Sequence, residues 1–391
     1  MPELPEVEHF RQILLPLVSS SSPIIFECPP PLPTKRFPTQ DVFDLINQGQ
    51  YSMKDVLRKG KLICIILQKQ GTKSSSKKGS STKSSTKDKT DNDDNPSITG
   101  NEPVLFLSLH MGMTGRISSP THIPELVELK NDSTYPPPHT HLIIKSSNGK
   151  EAAFSDPRRF GSVLVDVGED KEIICGDDIP GFEELAPDAL ESSSNTQQQT
   201  IMDQLVNRKK GIKGLLLDQK AVVSGVGNWV ADEILYRCHI HPDQSYLNKT
   251  ESQKIVKEMQ HILSTAVSCL NDSKDLPEEW LFHRRWRGGG GGSTAAKDYN
   301  GKAIKFIQSG GRSSAILPSL QKLMGRKSTK KSTLTAKGKQ KVSNKTTAGK
   351  SKVVPSKKTG AKGIKRKRVD NESSSKEETT QSRRSKRLAT S

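Results

Sequence analysis

Apolar residues recur along this chain with two different periods. Over residues 4–18, Val7, Phe10, Leu14 and Leu17 stand 3, 4 and 3 positions apart, which predicts a helix with one apolar face. Pro2 and Pro5 sit at its front, where a helix tolerates proline. Glu3 and Glu6 are three apart and are expected on one side of its first turn. From about residue 24 to 165 the pattern shortens to runs such as "KLICIIL", "VLFLSL", "HLIIK" and "GSVLVDV". Gly, Pro, Asn and Asp separate them, which predicts an antiparallel β-domain. After about 180 the signals turn helical, at 184–192, 198–217, 229–238 and 250–271. Residues 287–325 are punctuated by glycine, with short β-like runs, "KAIKFIQ" and "SSAIL". No internal repeat is evident.

Two stretches lack the apolar side chains to bury a core. Residues 69–102 are rich in Ser, Lys and Thr and are expected to form a disordered insertion between two strands. Residues 326–391 have the same composition and are expected to be a disordered basic tail. That tail holds 22 of the 61 basic residues and 4 of the 43 acids. The formal charge of +18 therefore lies entirely in the tail, and the other 325 residues balance to zero. Any nucleic-acid binding by the body must rely on local basic patches.

The five cysteines (Cys28, Cys64, Cys175, Cys238, Cys269) never pair at metal-ligand spacing, so neither a disulfide framework nor a four-cysteine zinc site is expected. Reduced thiols in a cytosolic or nuclear protein are the expectation. No run of about 18 apolar residues occurs, so no membrane span is expected. The start lacks the pattern of a secretory signal.

Five stretches carry candidate chemistry. Removal of Met1 would expose Pro2 as a secondary amine, and an α-amine titrates near ~7.7–8.0 against ~10.4 for lysine. Such an amine can attack a carbon with aldehyde or oxocarbenium character and form an iminium. Glu3 and Glu6 would then supply protons. The same residues also make an ordinary helix start, with acids favouring its dipole. In "VSGVGNWVADEILYRCHIHP" (223–242), Gly225 and Gly227 allow a tight turn and Asn228 can cap the following helix, whose free N–H groups suit a phosphate. An ordinary turn between core helices fits as well. "FSDPRRFG" (154–161) sets Arg158 and Arg159 beside Phe160, a cationic and aromatic tip able to fill a gap in a base stack, or a turn with solvated arginines. Met113 in "LHMGMTGR" is either an inserting side chain on a glycine-flanked loop or a core methionine. "RKGK" (58–61) can place Lys61 over a phosphate or leave it solvated.

Together and in this order, "PELPEVE", "RKGKLICI", "HMGMTGR", "SDPRRFG" and "LLLDQKAVVSGVGNWVADEILYRCHIHP" resemble the formamidopyrimidine-DNA glycosylase (Fpg/Nei) family. The resemblance runs from residue 2 to about 325, apart from 69–102. It implies an α+β fold: an N-terminal helix and β-sandwich over 1–175, a helix-two-turn-helix domain over 176–285, and a β-hairpin finger over 286–325. It further implies a bifunctional repair enzyme on double-stranded damaged DNA that flips an oxidised purine out of the duplex. Pro2 would attack the sugar C1′ and expel the base, and β- and δ-elimination would nick the strand. Glu3 would act on the sugar oxygen beside Glu6, and Lys61 on the phosphate of the reacting nucleotide. Met113, Arg158 and Phe160 would fill the void left by the base. His139, Lys210, Lys213 and Asn228 would contact DNA, and Arg312 in "GGRSSA" would reach a phosphate from the finger.

The chain departs from many bacterial members at the finger, where it has no cysteine after Cys269. It resembles the zincless plant and other eukaryotic members instead, which implies no metal and no cofactor. The hairpin is then expected to be held by packing alone, among Trp280, Phe282, Trp286, Ile304, Phe306 and Leu317. Glu8 is expected to be a helix-surface charge. Residues 271–279 leave little room for a long base-capping loop. In the tail, "KGIKRKRVD" and "SRRSKR" read as nuclear-import clusters or as non-specific DNA contacts. A nuclear monomer with no membrane partner is expected. The alternatives are a non-catalytic DNA binder on the same scaffold and a metal-dependent nuclease. The latter is disfavoured, because no clustered Asp/Glu/His set has ligand spacing.

Overall fold

The computed structural model describes residues 2–29, 36–70, 103–125, 134–169, 178–191, 194–285 and 296–324. Most of the expected insertion and the whole expected tail lie outside these residues.

The first apolar face forms α1 (Leu4–Leu14) and continues as a single 3-10 turn over Leu15–Leu17. The expected helix to residue 18 thus ends early. Pro16 has no N–H to donate back along the helix. Two four-stranded antiparallel sheets follow. Labelled in chain order, the strands are β1 (Ile24–Glu27), β2 (Tyr51–Lys59), β3 (Leu62–Lys69), β4 (Pro103–His110), β5 (Arg116–Ser118), β6 (Thr140–Ser146), β7 (Glu151–Ser155) and β8 (Ser162–Glu169). One sheet runs β1-β6-β7-β5 and the other β2-β3-β4-β8. Val56, Ile63, Ile65 and Leu107 from the second sheet share a core with Ile117, Leu142, Ile144 and Phe154 from the first. This is a β-sandwich, built by alternate residues facing inward. A helix not anticipated in this region, α2 (Gln40–Gln48), lies between β1 and β2 and buries Phe43 and Ile46.

The second half holds α3 (Asn195–Asn207), α4 (Ile212–Leu216), α5 (Asn228–Cys238) and α6 (Lys249–Asn271) around a separate apolar core. The expected helix over 198–217 is split, because Arg208 is extended and Gly211 opens α4. The expected helix over 184–192 is an irregular turn in its described part. The Asp188 carboxylate there takes the N–H groups of Leu190 and Glu191, as short polar side chains do in competition with helix. Strands β9 (Lys305–Ser309) and β10 (Arg312–Ile316) form the C-terminal hairpin. Its turn, Gly310–Gly311, has positive φ at both positions, as tight hairpin turns require.

Helix α1 belongs to both cores. Leu4 is buried among the helices, while Val7, Phe10 and Leu14 are buried in the sandwich. The start of the chain is thereby fixed at the junction of the two.

Candidate active site and nucleic-acid interface

Pro2 is buried and Glu3 is extended, ending the chain start against α5. Glu3 is 2% exposed. Its carboxylate accepts the N–H groups of Trp229 (2.9 Å) and Val230 (3.1 Å), capping α5 from a distant part of the chain. Asn228 was expected to cap this helix. It sits instead at the first helical position, and its buried Oδ1 has no hydrogen-bond partner among the described residues. The cap role passes to Glu3 because its two carboxyl oxygens accept from two donors at the positive end of the dipole. Gly227 is required by space: a methyl group there would stand 2.1 Å from Glu3 Cδ.

Glu6 Oε2 accepts the Glu3 N–H (3.0 Å), and Glu6 Oε1 accepts the Trp229 indole N–H (3.2 Å). Lys61 lies on the two-residue turn between β2 and β3 and donates to the Val226 carbonyl (3.0 Å). Gln219 holds the same carbonyl from its Nε2 (2.9 Å) and accepts the Gly225 N–H (2.9 Å). Two carboxyls and one ammonium are thus gathered around residues 225–230.

Their charges are strained in the directions useful for proton transfer. Burial raises the Glu3 carboxyl above the usual range, against the pull of Lys61 and of the two backbone donors. Burial, then the charge of Glu3, raises Glu6 to about 7. Burial lowers the Lys61 ammonium, opposed by Glu3 and Glu6 and assisted by Arg312. Arg312 is exposed at the start of β10, so the hairpin brings its charge within reach of this centre.

The turn that carries Lys61 is anchored by Arg58, whose side chain is fully buried. Arg58 donates to Glu8 (2.8 Å), Asp188 (2.5 Å), Glu191 (3.1 Å) and the Gly60 carbonyl (3.1 Å). Gly60 N–H donates to the same Asp188 carboxylate (2.6 Å). Glu8 is therefore no helix-surface charge. It is 5% exposed because the β2–β3 hairpin covers that side of α1, and Arg58 and Arg11 neutralise it.

A second group of loops lies on the sandwich. Asp156 is fully buried and joins them: it accepts Thr114 Oγ1 (2.6 Å), the Arg158 N–H (3.3 Å) and the Gly161 N–H (2.7 Å), while its own N–H donates to the His139 carbonyl (3.0 Å). Gly112 has φ +61, and a side chain there would meet the backbone of Phe160 and Gly161 at 2.5 Å. The Met113 loop and the Arg158–Phe160 loop are thus packed together. Arg158 and Phe160 are exposed, with the guanidinium 5.0 Å from the ring centroid, a cation–π pair. His139 is exposed on an open cleft lined also by Pro137, His141 and Arg159.

Lys210 is exposed. Lys213 is not a surface DNA contact. It is fully buried, and its three donors go to Asp232 (2.7 Å), the Ser313 carbonyl (3.0 Å) and Ser314 Oγ (2.5 Å). The hairpin is consequently not held by packing alone. Ile304 and Leu317 do form a small apolar cluster with Phe306, but Trp280 and Phe282 pack into the helical core, Phe282 edge-on to Trp229. Trp286 lies outside the described residues. The hairpin offers no cysteine or histidine, so it does not fit a four-cysteine zinc.

Sequence reasoning passed over Asp156, Trp229, Gln219, Arg58, Asp188 and Asp232. All but Asp188 stand inside the quoted motifs. The partners of Arg58 and Asp232 lie in other motifs or outside them, and Gln219 acts on the backbone, so no local pattern marks these roles.

A model described as "Formamidopyrimidine-DNA glycosylase N-terminal domain" matches residues 1–163, and one described as "Formamidopyrimidine-DNA glycosylase H2TH domain" matches 185–276. A formamidopyrimidine-DNA glycosylase of Arabidopsis thaliana is 34% identical over 200 residues, 51% of this chain and 47% of that protein. One from Desulforamulus reducens is 32% identical over 167 residues, 42% of this chain and 53% of the relative. The chain spans about half the length of these curated relatives. Lactococcus lactis Fpg in complex with abasic-site DNA superposes with a TM-score of 0.55 at 19% identity, covering 82% of this chain and 100% of that one. MutM (Fpg) from Thermus thermophilus gives 0.52 at 22%, covering 83% and 100%. At these identities the structures establish the fold.

Proposed function

The chain belongs to the formamidopyrimidine-DNA glycosylase family, and on that premise we propose that it is a bifunctional DNA glycosylase and abasic-site lyase of base excision repair. Its substrates are oxidised purines, 8-oxoguanine and formamidopyrimidines, in double-stranded DNA. The observation that carries this reading is the junction of Pro2 with Glu3, Glu6 and Lys61 at the N-terminus of α5.

With Met1 removed, the Pro2 amine attacks C1′ of the flipped nucleotide. The C1′–N9 bond breaks and the base leaves as its conjugate acid. Glu3 gives its proton to the sugar ring oxygen, which opens the ring and leaves an iminium between Pro2 and C1′. Loss of a C2′ proton expels the 3′-phosphate, and a second elimination expels the 5′-phosphate. Water then hydrolyses the iminium and restores the amine. Burial raises the Glu3 carboxyl above its usual range and, with the charge of Glu3, raises Glu6 to about 7. Lys61 and Arg312 hold phosphate, Asn228 donates to phosphate from its side-chain N–H, and Met113, Arg158 and Phe160 fill the vacated stack.

The test is cleavage of a duplex bearing one 8-oxoguanine, run in EDTA. The expected product is a one-nucleotide gap with phosphate at both new ends. A 3′-hydroxyl product or dependence on Mg²⁺ indicates hydrolytic nuclease chemistry instead, and binding without cleavage indicates the non-catalytic alternative. The nuclear address rests on the tail clusters and is checked by locating a fluorescent fusion with and without residues 362–387.

A further inference from the structure

One buried charge cluster has no part in the chemistry above. Asp232, on α5, accepts Lys213 Nζ on Oδ1 (2.7 Å), and Arg285 Nη2 (2.7 Å) and the Ala315 N–H (3.1 Å) on Oδ2. Lys213, on α4, spends its other donors on Ser313 and Ser314. The three charged side chains are 0–5% exposed. Three consecutive residues of β10, 313–315, are therefore gripped by one ion cluster, and Arg312 is the residue just before them. The turn on the other side is gripped as well. Ser309 donates to Asp243 (2.5 Å), and Gly310 packs against the backbone of Gly214, where a side chain would stand 3.0 Å away.

We propose that Asp232 is a positioning residue: through Lys213 and its own bond with the Ala315 N–H it docks the hairpin onto α4 and α5 and so fixes Arg312 beside Lys61. The cluster performs mechanical work that a metal would do in a finger with cysteine ligands, which this hairpin lacks. A metal would stiffen the hairpin from within. This cluster ties it to the helices, so the hairpin's order depends on the helical core being folded. A buried carboxylate suits the task because losing it leaves two uncompensated buried cations. The field argues in the same direction. Arg285 lowers, and Arg312 acts upon, the titration of groups at the active centre. Movement of the hairpin would change the Arg312 contribution.

The role of Arg312 rests on the proposed function, but the docking does not, and two measurements on the full chain keep them apart. The first is amide hydrogen exchange without DNA. Asp232→Asn is expected to speed exchange in residues 305–317 while α6 and the sandwich strands keep wild-type protection. Unchanged hairpin exchange overturns the proposal. The second is affinity for a duplex with a tetrahydrofuran abasic analogue. Asp232→Asn is expected to weaken binding by the same factor as Arg312→Ala, and to weaken it no further in the Arg312→Ala background. Equal added losses in both backgrounds overturn the proposal, as does wild-type affinity in folded Asp232→Asn. If Asp232→Asn does not fold, Ser314→Ala decides by the same two readouts, because it removes one hairpin contact and leaves the Lys213–Asp232 pair whole. A wild-type protein with no preference for the damaged duplex would defeat the functional reading and leave the exchange result standing.

Discussion

At Glu6 the folded chain holds a carboxyl at about 7 against an ordinary 4.5, because burial and the neighbouring Glu3 disfavour its charge. The folded state keeps this proton between those values while the unfolded state has released it. Stability therefore falls as pH rises from 4.5 to 7. Linkage caps the loss at about 3 kcal/mol, and solvent at the half-buried edge of Glu6 reduces it. Urea unfolding is expected to find Glu6→Gln more stable than wild type at pH 8 and nearly equal at pH 5; the reverse order would contradict the assignment. Gly227 gives a second prediction at this scale. Since a methyl group would displace the Glu3 carboxyl, Gly227→Ala is expected to lower single-turnover base excision as far as Glu3→Gln does. Unaltered excision would show that the α5 cap is not needed. Residues of this kind were legible in part. Glu3, Glu6 and Lys61 were singled out by type and position, whereas Glu8 was misjudged because nothing in its neighbourhood announces Arg58, 50 residues away.

Among the elements, the β2–β3 hairpin shows how the turn that carries Lys61 is held. Lys61 is at its tip, and the Arg58–Asp188 pair fixes both strand and turn to the segment before α3. Removing one partner of such a pair leaves a buried charge unpaired. Asp188→Ala is expected to cost about 3–5 kcal/mol, read as a lowered urea midpoint; a loss below about 1 kcal/mol would mean that water replaces the carboxylate. The strands were readable because their apolar runs are bounded by turn residues, and β3, β4, β6 and β8 fall on the quoted runs. Helix α2 was not, since its Phe43 and Ile46 lie in a short segment amid strand signals. The failed helix at 184–192 contains Pro187 and Asp188, and side-chain capture of backbone N–H groups outweighs its apolar spacing.

For the whole molecule, α1 ties a sandwich to a helical domain, and the basic excess lies in residues 326–391. Truncation after 325 is expected to keep excision while lowering non-specific DNA affinity and flattening its dependence on salt, since fewer counterions are released. An unchanged slope of log affinity against log salt would remove the tail from DNA binding. The order of motifs conveyed the family and the α+β fold class. The means of docking the finger was invisible, because Lys213, Asp232 and Arg285 converge only in three dimensions. Everything proposed for the chemistry depends on the chain's second residue being the nucleophile, and borohydride trapping on an abasic-site duplex decides that point. A covalent adduct is expected, placed on Pro2 by peptide mass mapping, and none is expected when a tag blocks the Pro2 amine of a folded protein. An adduct on Lys61, or one that forms equally well on the tagged protein, would contradict it.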